Sequence, residues 1–427
     1  MADIKAFKGL RYTENAGKIT QLVCPPYDII SDEQRMEYLK TNENNIIRLE
    51  LPKGENAYKT AGETLKSWLG NNILAKDDNA GIYVYEMEFS VKKSATKKVK
   101  GFISLVKLEE FSKGIILPHE ETLSKAKTDR FNLMSETFCN FSQIYSLYMD
   151  EDNSTFSLIE KASNRPADIE VTDGDGVIHR LWCVFDKDII AKVSDKFSDK
   201  KLYIADGHHR YETALNFHKH LCEQGSSKEN SDSGYVCMML VNMENDGLVV
   251  FPTHRIVRDL TDFNAQQVIE KCKEYFDITL QHNISTAEEK LSTLYNEGKK
   301  AFALYTGDKK YYLLILKDTE VMKKLLPDMS GAYCQLDVSI LHSLVLERLF
   351  GIDKENMANQ KNLTYTKILD EAIKAVDDKK ANCAFILNPT RVSEIRDVAL
   401  ASEKMPQKST YFYPKLITGL VMNKFID

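Results

Sequence analysis

The sequence has few cysteine patterns that form disulfide bonds or bind structural metals. Its eight cysteines are scattered over 427 residues, and no two of them form a CxxC pair. Structural zinc sites and disulfide frameworks usually depend on such close spacing. The lack of pairs argues against both kinds of site and predicts reduced, buried thiols.

Long apolar runs and a strong net charge are also missing. No run reaches the roughly 20 apolar residues that cross a membrane, and the first residues lack the apolar core of a signal peptide. We therefore expect a cytoplasmic protein with no membrane partner. Lys plus Arg number 57 and Asp plus Glu number 63, which gives a net charge of -6. This balance disfavours nucleic acid as a partner but allows a local basic pocket.

What the sequence does contain is typical of a folded α+β protein. Hydrophobic residues make up 43% of the chain, with 20 Tyr and 19 Phe, which excludes extensive disorder. Strand-like runs at 82–89 and 102–109 predict a strand pair, with the basic run 92–100 as an exposed loop. The runs 235–243 and 248–257 flank an Asn-Asp-Gly turn and predict a hairpin. Residues 338–350 predict a helix.

A strand, a turn and a helix meet at Asp206-Gly207-His208-His209-Arg210. The first N–H groups of a helix have no partner within it, and the helix dipole favours an anion there. A guanidinium and two imidazoles add directional donors, so phosphate is the expected guest. Alternatively, Asp206 caps the helix and the histidines satisfy local groups. Adjacent histidines point in different directions, which argues against one shared metal.

Two further blocks carry charge next to hydroxyls or histidine. In the first, His119 and Glu120 precede a basic stretch that ends at Arg130, and a carboxylate beside a histidine suits a general base. The alternative is a solvated helix face. In the second, Lys408, Ser409 and Thr410 precede aromatic residues. That segment suits the binding of a phosphate or nucleotide, and the alternative is a packed C-terminal tail. It is not a P-loop, because the glycine-rich run before the lysine is missing.

Two shorter blocks complete the set of candidates. In Cys24-Pro25-Pro26-Tyr27-Asp28, the prolines fix where Tyr27 and Asp28 point, although Asp28 could simply begin a turn. Thr253-His254-Arg255 offers basic donors at the end of a predicted strand, or is only an exposed strand end.

Together these motifs resemble one family. The blocks CPPYDIIS, LPHEETLSKAKTDR, LYIADGHHRYETAL, FPTHRIV and MPQKSTYFYPKLITGLV closely resemble those of domain-of-unknown-function family 1015, in the expected order from residue 24 to residue 421. The family name implies no activity. The turn at 206–210 is also similar to the phosphate-binding box of the ParB/sulfiredoxin-like superfamily, which includes free-serine kinases. That second resemblance covers about residues 110–258.

The resemblance implies roles for individual residues. His208, His209 and Arg210 would grip nucleotide phosphates after the Gly207 turn, and Glu120 would activate the substrate hydroxyl. The other expected catalytic groups are Asp206 and His209, and the expected ligands of Mg²⁺ are Asp206 and Asp28. Lys408, Ser409 and Thr410 would close over the phosphates of ATP or ADP. Expected substrate contacts are Tyr27, Asp28, His119, Arg130, His254, Arg255, Tyr413 and Lys415.

These expectations lead to three hypotheses about function. The first is a nucleotide-dependent kinase of a small hydroxylated metabolite, with serine as the candidate substrate. The second is a phosphatase of a metabolite such as phosphoserine, and the third is a nucleotide-sensing ParB-like regulator. We expect an N-terminal α/β region (1–110), a central ParB/sulfiredoxin-like domain (111–258) and a C-terminal α/β region (259–427) whose tail returns to the site. A homodimer is left open.

Overall fold

The computed structural model describes residues 1–91, 95–122, 124–228 and 231–426. Its internal contacts group the chain into two compact units. Unit 1 comprises Met1–Pro118, Thr122–Leu248 and Pro414–Asp427, and unit 2 comprises His119–Glu121 and Val249–Tyr413. Each unit combines helices with a mainly antiparallel sheet, which confirms the predicted α+β class.

The strands of the described residues are short or of medium length. They are β1 (Ile4–Lys5), β2 (Leu10–Tyr12), β3 (Leu74–Lys76), β4 (Ile82–Ser90), β5 (Thr96–Lys107), β6 (Ile116–Leu117), β7 (Cys139–Asn140), β8 (Ile144–Tyr148), β9 (Ile169–Thr172), β10 (Ile178–Val184), β11 (Leu202–Asp206), β12 (Tyr235–Asn242), β13 (Val249–Phe251), β14 (His254–Val257), β15 (Phe276–Gln281), β16 (Ala301–Tyr305), β17 (Tyr311–Leu316), β18 (Leu363–Thr366), β19 (Cys383–Ile386), β20 (Tyr411–Tyr413) and β21 (Asn423–Lys424).

The α-helices of the described residues alternate with these strands. They are α1 (Asp32–Thr41), α2 (Ile47–Glu50), α3 (Ala57–Gly70), α4 (Ser124–Thr137), α5 (Ser154–Ala162), α6 (Lys187–Asp195), α7 (His208–Glu223), α8 (Ala265–Cys272), α9 (Ile284–Asn296), α10 (Glu320–Leu325), α11 (Gly331–Cys334), α12 (Asp337–Ser339), α13 (Lys354–Ala358), α14 (Leu369–Asp377) and α15 (Val392–Leu400). A π-helix, Ile340–Glu347, follows α12 directly. No helix of the described residues is both long enough and apolar enough to span a bilayer.

The main sheet of unit 1 runs in the order β6-β11-β8-β12-β5-β4-β10-β9, with β1 paired to β5. The pairs β6/β11 and β8/β12 are parallel and the other pairs are antiparallel. Smaller ladders join β2 to β3 and β7 to β21. In β11 and β12, almost every side chain is buried, as expected for strands that are covered on both faces.

The β4/β5 pair confirms the strand pair predicted at 82–89 and 102–109, but β5 begins earlier than expected. The predicted loop is therefore partly wrong, since Lys98 and Lys100 lie in β5. Their ammonium groups pair with Glu88 and Glu86 on β4 at 3.1 and 3.0 Å. Opposite charges across a strand pair stabilise this register. Residues 92–94 of the same run lie outside the described residues.

The hairpin predicted from 235–257 is wrong. β12 is already paired with β5 on one edge and β8 on the other, so no edge is available to the following segment. That segment is instead divided at Pro252, which cannot donate a backbone hydrogen bond. β13 pairs with β20, and β14 lies between β18 and β19.

Unit 2 is built on a sheet in the order β15-β17-β16-β19-β14-β18, with every pair antiparallel. Alternate side chains of β16 and β17 pack with α9 and α14 into a buried cluster that includes Leu291, Ala303 and Leu313. The helix predicted at 338–350 exists, but most of it is the π-helix. Gly351 follows it with φ 72°, which suits a residue that lacks Cβ.

Candidate functional site

In unit 1, β11 ends at Asp206, a turn follows at Gly207, and α7 begins at His208. Leu202 and Ile204 are fully buried in the strand, and Tyr211, Ala214 and Leu221 bury one face of the helix. This is the strand–turn–helix that the sequence predicts.

Gly207 makes the connection between strand and helix. Its φ and ψ of 95° and 28° lie in the left-handed region, which residues with a Cβ adopt only at a cost. A Cβ there would come within 3.0 Å of the guanidinium of Arg210. The glycine therefore lets Arg210 lie against the turn.

Asp206 lies between two cations at the N-terminus of α7. Its Oδ2 accepts a hydrogen bond from Arg210 Nη2 at 2.6 Å, and its Oδ1 pairs with Lys415 Nζ. The three side chains are only 11 to 17% exposed. Burial opposes ionisation, but Lys415 and Arg210 together hold the pKa of Asp206 below its ordinary value. The carboxylate thus stays charged and aligns both cations.

Two histidines of the turn and the separate Asp28 are the next predicted residues of unit 1. His208 is buried and helps to lower the pKa of Asp206, while His209 is half-buried. Asp28 is exposed in a short 3-10 helix, Tyr27–Ile29. Although burial acts in the opposite direction, Asp206 and Asp28 raise the pKa of Arg210.

A second buried group of unit 1 combines Arg130 with a carboxylate that the sequence analysis missed. Arg130 lies over the ring of Tyr27, 4.0 Å from its centroid, and donates to the backbone oxygen of Glu50 at 2.7 Å. The Glu50 carboxylate is fully buried and accepts hydrogen bonds from Ser142 Oγ and the Tyr27 N–H. Burial raises its pKa, against the opposing effects of Arg130, Ser142 and Arg210.

A cavity of about 40 Å³ is lined by Glu50, Arg130, Ser142 and Arg210, among others. It brings an acid with a raised pKa to two guanidinium groups. Such a combination is typical of sites that bind anions and move protons. A signal for Glu50 existed in the sequence, because it stands between two leucines in the mainly apolar segment 46–51, which also contains Arg48.

In unit 2, the segment His119–Glu121 contacts residues 408–410, which are predicted to close over the phosphates. Glu120 Oε1 accepts from the Lys408 N–H at 2.8 Å, and His119 Nε2 lies 2.9 Å from Thr410 Oγ1. Lys408 has φ 56°, so the chain turns sharply where it meets Glu120. Ser409 is buried, and its hydroxyl donates to the Pro406 carbonyl.

The remaining candidates of unit 2 lie on strands of its two sheets. Arg255 is fully buried. Its guanidinium donates to His342 Nε2 and to the Lys408 carbonyl, at 3.1 Å each, and also to the Thr253 carbonyl. His254 Nδ1 accepts from the Leu387 N–H at 3.3 Å. Tyr413, on β20, packs against Phe251.

The predicted residues therefore fall into two groups. Unit 1 contains Tyr27, Asp28, Arg130, Asp206, Gly207, His208, His209, Arg210 and Lys415, and unit 2 contains His119, Glu120, His254, Arg255, Lys408, Ser409, Thr410 and Tyr413. That all of them serve one site stays a prediction.

Asp206 and Asp28 do not fit a protein-held metal site. Both oxygens of Asp206 already accept from cations, and the described residues contain no cluster of three or more His, Cys, Asp or Glu side chains that could hold a metal ion. Mg²⁺ commonly binds through one or two carboxylates together with substrate phosphates. That Asp206 and Asp28 are ligands of Mg²⁺ stays a prediction.

The family model described as a protein of unknown function, DUF1015, matches residues 4–339. The chain belongs to this family. No curated protein matches the chain.

Several solved structures resemble this DUF1015 chain weakly. A free serine kinase variant in complex with AMP has a TM-score of 0.37 at 12% identity, over 73% of this chain and 91% of that one. A conserved hypothetical protein from Pyrococcus furiosus has a TM-score of 0.34 at 15% identity, over 73% and 94%. SbnI from Staphylococcus aureus, with a C-terminal truncation, has a TM-score of 0.37 at 9% identity, over 75% and 87%.

Proposed function

We propose that this DUF1015 protein is a nucleotide-dependent phosphoryl-transfer enzyme that acts on a small hydroxylated metabolite. The observation that carries the proposal is the pair of cations, Arg210 and Lys415, aligned by Asp206 at the N-terminus of α7. A helix N-terminus with two nearby cations is a suitable site for phosphate oxygens. Phosphoryl transfer depends mostly on such positioning and charge neutralisation.

In the proposed reaction, the hydroxyl oxygen of the metabolite attacks the terminal phosphorus of the nucleotide. The new O–P bond forms while the bond to the bridging oxygen breaks, and the shortened nucleotide leaves with that oxygen's charge. Arg210 and Lys415 would bind the phosphate oxygens, and Arg130 adds a third cation beside the cavity. The hydroxyl proton must pass to a base.

Two carboxylates are candidates for that base. Glu120 is the residue implied by the sequence resemblance. Glu50 is supported by its burial, its raised pKa and its position in the cavity beside Arg130 and Arg210, because a higher pKa makes a carboxylate a stronger proton acceptor.

Phosphorus NMR tests the reaction directly. Purified protein is incubated with Mg²⁺, ATP or ADP and a panel of small alcohols that includes serine, and a parallel sample receives phosphoserine. We expect a new phosphoester resonance in the presence of nucleotide. Cleavage of phosphoserine without transfer would instead support a phosphatase, and the absence of both would contradict an enzymatic role towards these compounds.

Isosteric variants separate the two candidate bases. If Glu50 is the base, Glu50→Gln should lower kcat at least a hundredfold with little change in nucleotide affinity, because general-base catalysis contributes about 10²–10⁴-fold. Glu120→Gln is the matched comparison. A large loss of kcat in Glu120→Gln together with an active Glu50→Gln variant would assign the role to Glu120.

A further inference from the structure

A second cavity, of about 90 Å³, lies entirely within unit 2. Its wall includes His342, Ser343 and Glu347 from the π-helix, Tyr365 from β18, and the four consecutive residues 404–407. One water molecule needs only about 10–15 Å³ of such space. The cavity therefore has room for several waters or for one small organic molecule.

The π-helix explains how polar groups reach this wall. Hydrogen bonds from i to i+5 place residues five apart on one side of the helix, and π-helical turns often occur at functional sites. His342 and Glu347 are five residues apart, and both line the cavity. In a regular α-helix the same two residues would point in clearly different directions.

Arg255 supplies positive charge behind this wall. Its guanidinium is fully buried, and it donates hydrogen bonds to an imidazole and two backbone carbonyls. Glu120 is near enough for its charge to raise the pKa of Arg255, against the larger and opposite effect of burial. Its Nε donates to His342 Nε2 at 3.1 Å. Burial, and then Arg255, lower the pKa of His342, so the imidazole is neutral and carries its proton on Nδ1. A buried cation that donates to neutral acceptors favours an anion nearby.

The hydroxyl of Tyr365 also lacks a partner where one is expected. Its oxygen is buried and makes no hydrogen bond within the described part of the chain, although buried hydroxyls are normally paired. The ring of the same residue lies 5.5 Å from the Arg255 guanidinium, and the residue lines the cavity. A guest with an acceptor oxygen would satisfy this hydroxyl.

The cavity also contains negative charge. Glu121 and Glu347 line it and are exposed. Two lysines, the exposed Lys354 and the half-buried Lys404, also line it. The lining thus offers donors backed by Arg255 and, separately, carboxylates. A ligand with a single charge would use only one of these two sets.

We propose that this cavity binds a small zwitterion of the α-amino-acid class. The carboxylate of the ligand accepts from Tyr365 and lies in the field of Arg255, and its ammonium group pairs with Glu347 and Glu121. This site goes beyond the proposed phosphoryl transfer and does not depend on it.

Isothermal titration calorimetry with alanine, propionate and ethylamine tests the proposal on the full chain. Propionate lacks the ammonium group of alanine, and ethylamine lacks its carboxylate. We expect alanine or another small amino acid, such as glycine or serine, to bind at least tenfold more tightly than either single-charge analogue. Binding of no amino acid, or equal binding of propionate, overturns the proposal.

Two variants locate the binding. Tyr365→Phe removes only the unpaired hydroxyl and should weaken amino-acid binding about tenfold, whereas Tyr312→Phe, on β17 and outside the lining, should leave it unchanged. Glu347→Gln should weaken alanine but not propionate, with the exposed Glu297→Gln as its control. Unchanged amino-acid affinity in Tyr365→Phe overturns this location. If Arg210→Ala also loses amino-acid binding, the amino acid binds at the turn before α7 instead.

Discussion

Asp206 determines how the buried cations of unit 1 respond to pH. Its pKa is lowered in the folded protein despite burial, because Lys415 and Arg210 lie against it. A carboxylate with a lowered pKa stabilises the fold above its unfolded pKa of about 3.9, and that contribution is lost as the pH falls. The same charges that would hold phosphate therefore also stabilise the unit.

We predict that Asp206→Asn lowers the free energy of unfolding by about 3–5 kcal/mol at pH 7, because it leaves two largely buried cations without their carboxylate. The difference from the wild type should shrink as the pH falls below about 4, because Asp206 is then protonated in the unfolded chain while it still carries its charge in the folded protein. Urea denaturation at pH 7 and pH 3 measures both values. Parallel losses of stability at the two pH values would contradict the charge pairing described here.

At the residue scale, the sequence does not reveal which single polar residues become buried next to the site. Asp206, Arg210 and Lys415 could be identified because they stand in distinctive short motifs. Glu50 and Ser142 could not, since their importance depends on which segments pack against them, and α2 is only four residues long. The position of an acidic residue between two leucines is the local signal for Glu50.

At the scale of elements, the turn before α7 depends on a residue without a side chain. We predict that Gly207→Ala costs about 1–2 kcal/mol, because the left-handed conformation is strained for residues with a Cβ. The added carbon would also displace Arg210, so nucleotide affinity should fall. Denaturation and titration with ADP measure the two effects.

Gly174→Ala is the matched control for that variant. Gly174 is exposed, and an added Cβ would meet no atom within 4 Å. Its stability and ADP affinity should equal those of the wild type. If Gly207→Ala behaves like this control, the turn does not position Arg210 as described.

The sequence predicted the strand, the turn and the helix that meet at residues 206–210, and β11 and α7 confirm them. The same reasoning predicted a hairpin after β12 and was wrong, since a local turn signal does not reveal that β5 and β8 already occupy both edges of that strand. The π-helix was also missed as such, because its apolar pattern resembles that of an α-helix.

At the scale of the whole molecule, the C-terminal segment 414–427 belongs to unit 1. Its β21 pairs with β7, and the Gln143 side chain donates to the Val421 carbonyl. Ile417, Val421 and Met422 are buried. The three predicted regions and a homodimer stay predictions, but this segment ties the tail to the first part of the chain.

We predict that truncation after Tyr413 lowers the melting temperature by about ten degrees or more and abolishes nucleotide binding. The truncation removes a buried apolar segment, which contributes about 1.5–3 kcal/mol for each large side chain, and it also removes Lys415. Lys415→Ala is the comparison, because it should weaken nucleotide binding with a smaller loss of stability. A truncated protein with unchanged melting temperature would contradict the packing of this segment.

The measurement that tests the central claim most directly is calorimetric titration of wild type and Arg210→Ala with ADP and with adenosine. The account predicts that the wild type binds ADP at least tenfold more tightly than adenosine, since a charge-assisted hydrogen bond contributes about 1.5–3 kcal/mol. It also predicts that Arg210→Ala loses this preference, while Arg396→Ala, at an exposed ion pair, keeps it. Failure of the wild type to bind ADP, or equal ADP affinity in wild type and Arg210→Ala, would contradict a phosphate site at the start of α7.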